Sequence, residues 1–186
     1  MEVKINENRL VLMTGDITEQ STDAIVNAAN GSLLGGGGVD GAIHRAAGKG
    51  LLEACKKIRS DRLDGNHLPT GEAVMTDGYH LPARHVIHTV GPIWRKGEDH
   101  QEEMLANCYS NSLRLADDEG LSSISFPSIS TGVYGYPVEE ASIVAIRTLV
   151  AYLGQCSFGE VRMVLFSKGD CQVYEHVVNQ MKKELG

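Results

Sequence analysis

The 186-residue chain lacks the sequence features of several large protein classes. Its four cysteines, Cys55, Cys108, Cys156 and Cys171, form no CxxC pair, which argues against a zinc site or a redox pair. We expect reduced, mostly buried thiols in a cytoplasmic protein. No apolar run is long enough to span a bilayer, and the N-terminal residues show no basic-then-apolar signal pattern. Neither a membrane partner nor secretion is therefore expected.

Clusters of basic residues are also missing. Lys and Arg number 17 against 24 Asp and Glu, which gives a formal net charge of −7, and no basic run exceeds two residues. This balance argues against a nucleic-acid partner, because such proteins neutralise phosphates with clustered Lys and Arg. A small anionic ligand is compatible with it, but backbone amides and helix ends would have to hold that ligand.

The pattern of apolar residues predicts an α/β layered domain with a largely parallel or mixed sheet, formed as a single domain over residues 1–186. Strand patterns occur at residues 3–5, 10–13, 24–28, 72–76, 85–90, 123–126 and 161–166. Helical spacing occurs from Ala42 to a stop at Gly48, and again over residues 51–58, 101–116, 138–153 and 173–185. No internal repeat or Pro-, Gly- or Ser-rich linker divides the chain.

The most informative segment is a run of four glycines, Gly35 to Gly38, between the strand at residues 24–28 and a helix. A backbone without side chains can approach a ligand closely and donate N–H groups to it. Asn30 and Asp40 flank the run and can act on whatever the loop holds. A second loop, residues 127–137, follows another strand and contains two glycines and three hydroxyl residues. Two such loops at the carboxyl ends of strands predict a site for a pyrophosphate.

Known phosphate motifs fit this segment poorly. The Walker pattern needs GK[ST] after its glycines, and here Val39-Asp40 follows, so a P-loop NTPase is rejected. Gly36, Gly38 and Gly41 satisfy GxGxxG, but the stretch where a nicotinamide-binding fold carries its acidic residue reads as helix and loop. The serines of the second loop form no GxSxG elbow, which disfavours a serine hydrolase.

Five segments together resemble a macro domain, and more narrowly its MacroD-type branch. They are residues 15–18, 24–30, 35–47, 88–92 and 126–137, in the order and spacing of the family and covering essentially the whole chain. The resemblance implies a three-layer α/β/α sandwich with a central mixed sheet that binds ADP-ribose. It also implies a hydrolase that removes mono-ADP-ribose from acidic side chains of proteins and deacetylates O-acetyl-ADP-ribose, without a metal or other cofactor. A non-catalytic ADP-ribose reader is the principal alternative, and an RNA-interacting regulator is disfavoured by the acidic charge.

The same resemblance implies roles for individual residues. Asp16 and Ile17 match the contacts to adenine, and Phe166 is a candidate wall of the adenine pocket. The residues that match the two phosphate loops are Gly36, Gly37, Gly38 and Val39 in the first, and Ser130, Thr131, Gly132, Val133 and Tyr134 in the second. Asn30 and Asp40 match the residues around the distal ribose. Tyr134 stands where many relatives carry Phe, and Ser128 where some carry Cys.

Several of these residues also have a purely structural interpretation. Asp40 could be the N-cap of the following helix, and Asn30 and Asp16 could each close a local turn. We prefer the functional interpretation for Asp40, in which it orients or polarises the water that attacks at the distal ribose; the ligand's own phosphate is the other candidate for this task. His85 and His88 lie three apart on a strand, so they point to opposite faces. A shared metal is therefore not expected, and His88 is predicted to be packed and hydrogen-bonded.

Overall fold

The computed structural model describes residues 1–185 of the chain. The strands are β1 Glu2–Ile5, β2 Asn8–Thr14, β3 Ala24–Ala28, β4 Ala73–Asp77, β5 His85–Thr89, β6 Ser123–Phe126 and β7 Glu160–Leu165. The helices are α1 Gly38–Ala47, α2 Lys49–Arg62, α3 Gln101–Asp118, α4 Val138–Leu153 and α5 Lys168–Leu185, with one 3₁₀ turn at Ile17–Glu19. The predicted domain end at Gly186 lies outside the described part, as does the Leu185 side chain, the last of the predicted helical spacing.

The seven strands form one mixed sheet in the order β1-β2-β7-β6-β3-β5-β4. The five strands from β2 to β5 run parallel, while β1 and β4 pair antiparallel at the two edges. All five parallel strands therefore end at the same edge of the sheet. The loops after β3 and β6 leave from neighbouring strands at that edge, which is where ligands bind in open α/β sheets.

Helices cover both faces of the sheet, so the predicted three-layer α/β/α sandwich is confirmed. One core packs α3, α4 and α5 against one face and includes Val26 and Ile87. The other core packs α1 and α2 against the opposite face and includes Ile25, Val86 and Val74. Because side chains alternate along a strand, the next residues on this second face are Asn27, His88 and Thr76, which are polar.

The predicted elements differ from the observed ones mainly at their ends. The strands at residues 24–28 and 123–126 and the helix at residues 138–153 have the predicted bounds. The helix predicted at residues 51–58 extends over Lys49–Arg62, and its added C-terminal turn is polar and exposed. The last strand ends at Leu165, so Phe166 follows the strand instead of closing it. Gly48 ends α1 as predicted, with a φ of +84° that favours glycine.

Within residues 1–185, no helix combines the length and apolar character needed to cross a membrane. Three cysteines, Cys55, Cys108 and Cys171, are buried and Cys156 is partly buried, which confirms the predicted burial of the thiols.

Candidate functional site

A cleft of about 230 Å³ opens between the first loop (residues 29–37) and the second loop (residues 127–137). Both loops contribute to it, together with the start of α1 and Gly91 after β5. Its walls are formed by Ala28, Ala29, Asn30, Gly37, Gly38, Val39, Asp40, Gly91, Ser128, Ile129, Ser130, Gly132, Val133 and Tyr134. Of the predicted loop residues, only Gly36 and Thr131 are absent from these walls. The structure thus brings the two predicted loops together on one cavity.

The first loop needs its glycines for two different reasons. A Cβ on Gly36 would lie 2.6 Å from the Nδ2 atom of Asn30, so only glycine fits behind that amide. Gly37 and Gly38 instead face open space, and Gly38 begins α1 with a φ of +57°. The first intrahelical bond joins the Gly41 amide to the Gly37 carbonyl, which leaves the preceding amides of the helix without an intrahelical partner. These amides are available to a ligand in the cleft.

Two backbone hydrogen bonds fold the second loop tightly. The Tyr136 amide donates to the Ser130 carbonyl, and the Gly135 amide donates to the Gly132 carbonyl. Ser130 has a φ of +67°, and its buried Oγ atom has no hydrogen-bond partner in the described residues. A Cβ on Gly91 would lie 2.2 Å from this oxygen, so the Ser130 hydroxyl fits at this position only because residue 91 has no side chain. Ser130 therefore lines the cleft and carries a hydroxyl that no described residue occupies.

The cleft suits an anion although it contains no cation. Asp40 is the only charged side chain among its described lining residues. Positive potential comes from the N-terminus of α1, where the helix dipole and unpaired amides favour an anion. A diphosphate spanning both loops would therefore be held mainly by backbone N–H groups, as the scarcity of basic residues predicts.

Asp40 is the third residue of α1, and its carboxylate is buried. The alternative interpretation of Asp40 as an N-cap is wrong, because Gly37 occupies the N-cap position and has no side chain. Helix α1 starts at Gly38, four residues before the apolar spacing that begins at Ala42, since the Gly37-Gly38 backbone adopts the turn. The Oδ1 atom of Asp40 accepts a hydrogen bond, whereas Oδ2 is buried without a partner in the described residues. Oδ2 is thus the Asp40 oxygen that no described protein group occupies.

Asn30 links the two loops across the floor of the cleft. Its Nδ2 atom donates to the Gly35 carbonyl at 2.9 Å, and its Oδ1 atom accepts from the Tyr134 hydroxyl at 3.2 Å. The Tyr134 hydroxyl, which Phe lacks, therefore ties the second loop to the first. Asn30 also closes a local turn, because its carbonyl accepts from the Leu33 amide. The turn uses only the Asn30 backbone, so the side chain is left to face the cleft.

The model of the Macro domain family matches residues 26–145 of the chain. This chain belongs to the macro domain family. A macrodomain from Oceanobacillus iheyensis solved with ADP is 54% identical, with a TM-score of 0.96 over 99% of this chain and 97% of that one. The O-acetyl-ADP-ribose deacetylase of Escherichia coli K12 is 46% identical over 96% of this chain and 99% of its own length. A Trypanosoma brucei macrodomain in complex with ADP-ribose is 41% identical, with a TM-score of 0.81 over 92% of this chain and 69% of that one.

The residues expected at adenine lie outside the cleft of this macro domain, at the ends of β2 and β7. The Gly15 amide donates to the Leu165 carbonyl, which places the following residues, Asp16 and Phe166, at neighbouring strand ends. Phe166 is 89% exposed and free to cover a flat ring. Ile17 is buried in the core, so only its backbone is open to a ligand. The local turn proposed for Asp16 is confirmed, because its Oδ1 atom accepts from the Thr18 amide; its adenine role stays a prediction.

This placement suits an extended ligand. Strands β7 and β6 lie between β2 and β3 in the sheet. At about 4.8 Å per strand, roughly 14 Å separates the end of β2 from the end of β3. A nucleoside near Asp16 and Phe166 and a second sugar near Asp40 would thus lie on either side of the two loops.

Sequence reasoning missed the polar groups beneath Asp40. His88 is buried and hydrogen-bonded, as predicted, but its connection to the site was not foreseen. The Nδ2 atom of Asn27 lies 2.9 Å from Asp40 Oδ1 and 3.1 Å from His88 Nδ1. An Asn inside the apolar strand Ala24–Ala28 was the available signal, since a fully buried amide requires a partner. His44 also approaches the site, with Nε2 3.4 Å from Asp40 Oδ1.

Burial sets the protonation states of two groups beside this network. Desolvation, with a smaller contribution from His44, lowers the pKa of His88 from 6.5 to about 3. Desolvation, and secondarily the charge of Asp40, raises the pKa of Cys55 to about 12. At neutral pH the His88 imidazole is therefore uncharged and does not act as a charged acid. Cys55 stays a protonated thiol and does not act as a nucleophile.

Proposed function

We propose that this macro domain binds ADP-ribose and hydrolyses acyl esters at its distal ribose. O-acetyl-ADP-ribose is one proposed substrate, and single ADP-ribose groups esterified to Asp or Glu side chains of proteins are the other. The observation that carries the proposal is the arrangement of the cleft: two amide-lined loops with one buried carboxylate, Asp40, whose Oδ2 atom has no partner among the described residues. The names of the similar proteins, an O-acetyl-ADP-ribose deacetylase and macrodomains bound to ADP or ADP-ribose, support the same substrate class.

The proposed binding mode assigns one part of the ligand to each part of the site. Asp16 accepts the adenine amino group, the Ile17 backbone contacts adenine, and Phe166 covers the ring. The diphosphate lies on the amides of both loops, with help from the Ser130 hydroxyl. Asn30 and Asp40 face the distal ribose.

In the proposed reaction, Asp40 orients and polarises a water through Oδ2. The water oxygen bonds to the carbonyl carbon of the ester, and the bond from that carbon to the ribose oxygen then breaks. The water's protons end on the ribose hydroxyl and in solution, so that acetate and ADP-ribose leave. General-base assistance of this kind is worth about 10²–10⁴-fold in rate. A pure ADP-ribose reader gains nothing from a carboxylate at this place, because the carboxylate would repel the phosphates.

The test is to incubate the protein with O-acetyl-ADP-ribose and, separately, with a glutamate-linked mono-ADP-ribosylated acceptor, and to quantify free ADP-ribose by chromatography. We expect the wild type to release ADP-ribose from both substrates. With Asp40→Asn, the rate of release should be lower by at least about 10²-fold. Asp61→Asn, at an exposed carboxylate on α2, is the matched control and keeps full activity. Binding of ADP-ribose without release from either substrate would refute the hydrolase and leave the reader. The cytoplasmic location stays a prediction.

A further inference from the structure

A chain of buried polar side chains runs beneath the cleft from the edge strand β4 to Asp40. The Oγ1 atom of Thr76 lies 3.0 Å from His88 Nε2, and His88 Nδ1 lies 3.1 Å from Asn27 Nδ2. Asn27 Nδ2 also donates to Asp40 Oδ1 at 2.9 Å. Asn27 and His88 are fully inaccessible, and Thr76 and Asp40 are buried. Parallel pairing places Asn27 directly beside His88 in the sheet, so the β3–β5 register builds this contact.

The series of hydrogen bonds from Thr76 through His88 and Asn27 to Asp40 allows one consistent arrangement of protons. A carboxylate only accepts, so the amide nitrogen of Asn27 must face Asp40 and donate one hydrogen to it. The second amide hydrogen points to His88 Nδ1, which must then carry a lone pair. The proton of His88 therefore lies on Nε2 and is donated to Thr76 Oγ1. Burial keeps the imidazole in this neutral form, because it lowers the pKa of His88 to about 3.

This series of hydrogen bonds leaves one oxygen of Asp40 free. Oδ1 is occupied by Asn27, while Oδ2 is left without a partner in the described residues. A Cβ on Gly36 would lie 3.4 Å from Oδ2, so this oxygen lies behind the glycine loop. Without the Asn27 amide, the plane of the carboxylate could turn about the Cβ–Cγ bond, so that neither oxygen keeps its place.

We propose that Asn27 and His88 are positioning residues that aim the Oδ2 atom of Asp40 at the reacting end of the ligand. Asn27 holds the carboxylate directly, and His88, anchored by Thr76, fixes the orientation of the Asn27 amide. The catalytic part of this inference rests on the proposed function, whereas the geometric part concerns only the orientation of Asp40. If their role were only structural, Thr76, His88 and Asn27 would satisfy one another's hydrogen bonds inside the core and would not affect the orientation of the Asp40 carboxylate.

Activity measurements separate these two roles. Asn27→Leu removes the donor to Asp40 at similar volume, and we expect kcat for O-acetyl-ADP-ribose to fall about 10²-fold, the cost of a misplaced catalytic group. The KM and the Kd of ADP-ribose should change less than about threefold, since no backbone donor of the cleft is altered. His88→Leu should lower kcat about tenfold. His88→Asn, which keeps an acceptor facing Asn27, should recover most of that loss and supplies a second variant should Asn27→Leu fail to fold.

A control variant accounts for general destabilisation. The control is Val86→Ala. Val86 lies two residues before His88 on the same face of β5 and is fully buried, but it takes no part in the hydrogen bonds beneath Asp40. This variant should lower Tm as the positioning variants do and leave kcat within about twofold. Asn27→Leu added to Asp40→Asn should cost no further activity, because Asn27 acts through Asp40. An additive loss, or a kcat of Asn27→Leu equal to that of the wild type, would overturn the proposal.

A crystal structure of Asn27→Leu tests the geometric part without any reaction. We expect the plane of the Asp40 carboxylate to turn, so that neither oxygen occupies the place that Oδ2 has in the wild type. An unchanged carboxylate would overturn the positioning role even if the wild type proves inactive. An inactive wild type in which the Asn27→Leu carboxylate turns would instead refute the proposed hydrolysis and leave the positioning role standing.

Discussion

The variant Gly91→Ala probes how the second loop is held against the cleft. The added Cβ would lie 2.2 Å from Ser130 Oγ and 2.7 Å from Ile129 Cγ2. Because non-bonded heavy atoms settle at about 3.5 Å, Ser130 has to move by roughly 1 Å. Overpacking of this kind costs about 1–3 kcal/mol in free energy of unfolding. The same movement withdraws the Ser130 hydroxyl from the phosphate proposed to bind it.

The loss of affinity follows from that contact. A hydrogen bond to a charged group is worth about 1.5–3 kcal/mol, which corresponds to about ten- to hundredfold in Kd. Isothermal titration with ADP-ribose measures this loss, and urea unfolding measures the change in stability. In a Gly91→Ala background, Ser130→Gly removes the nearest clashing atom and suits a φ of +67°, so it should restore part of the stability but not the affinity. A single variant that matches the wild type in both measurements would refute the packing argument.

Three further outcomes are expected. Gly36→Ala places a Cβ 2.6 Å from Asn30 Nδ2, so it should displace that amide and lower kcat about 10²-fold. Gly169→Ala, whose Cβ would come no closer than 4.0 Å to Ser167 Oγ, should not do so; equal rates in a turnover assay would contradict the role of Asn30. If neutral amides bind the diphosphate as proposed, raising NaCl from about 50 to about 500 mM should weaken ADP-ribose binding less than about threefold; titrations showing a steep salt dependence would point to cationic contacts instead. Between pH 6.5 and about 3, His88 is protonated in the unfolded chain but stays neutral in the folded protein, so the free energy of unfolding should fall by roughly 1 kcal/mol for each pH unit that the pH is lowered. Urea titrations at several pH values should show a steeper dependence of this free energy on pH for the wild type than for His88→Asn. Equal slopes would speak against a buried neutral imidazole.

Elements with a complete apolar pattern could be predicted from the sequence alone. Helix α4 is apolar over most of its circumference and is bounded by Pro137 and Gly154, so its pattern and its boundaries agree. Helix α2 was predicted too short, because its last turn carries no apolar residue and depends on continuation of the helix itself. The antiparallel direction of edge strand β4 was not predicted, since strand direction follows from the path of the chain between strands.

The candidate site likewise has one part that could be predicted from the sequence and one part that could not. The glycine loops are visible in the sequence because their composition is unusual, and the structure places both on one cleft. The support beneath Asp40 was not visible, because Asn27 and His88 are separated by 61 residues and meet only through the β3–β5 register. Asp40 was assigned a possible N-cap role because it directly precedes the helical pattern, and the four glycines before Val39 disfavour a helix. In the fold, Gly38 nevertheless begins α1, so the local preference is overridden by packing.

The proposed function divides the work between two parts of the site: backbone amides bind the diphosphate, and Asp40 serves only the reaction. Its most direct test compares kcat for O-acetyl-ADP-ribose and Kd for ADP-ribose between the wild type and Asp40→Asn. We predict a Kd within about threefold and a kcat lower by at least about 10²-fold. An unchanged kcat, or a Kd that weakens as much as kcat falls, would contradict the account.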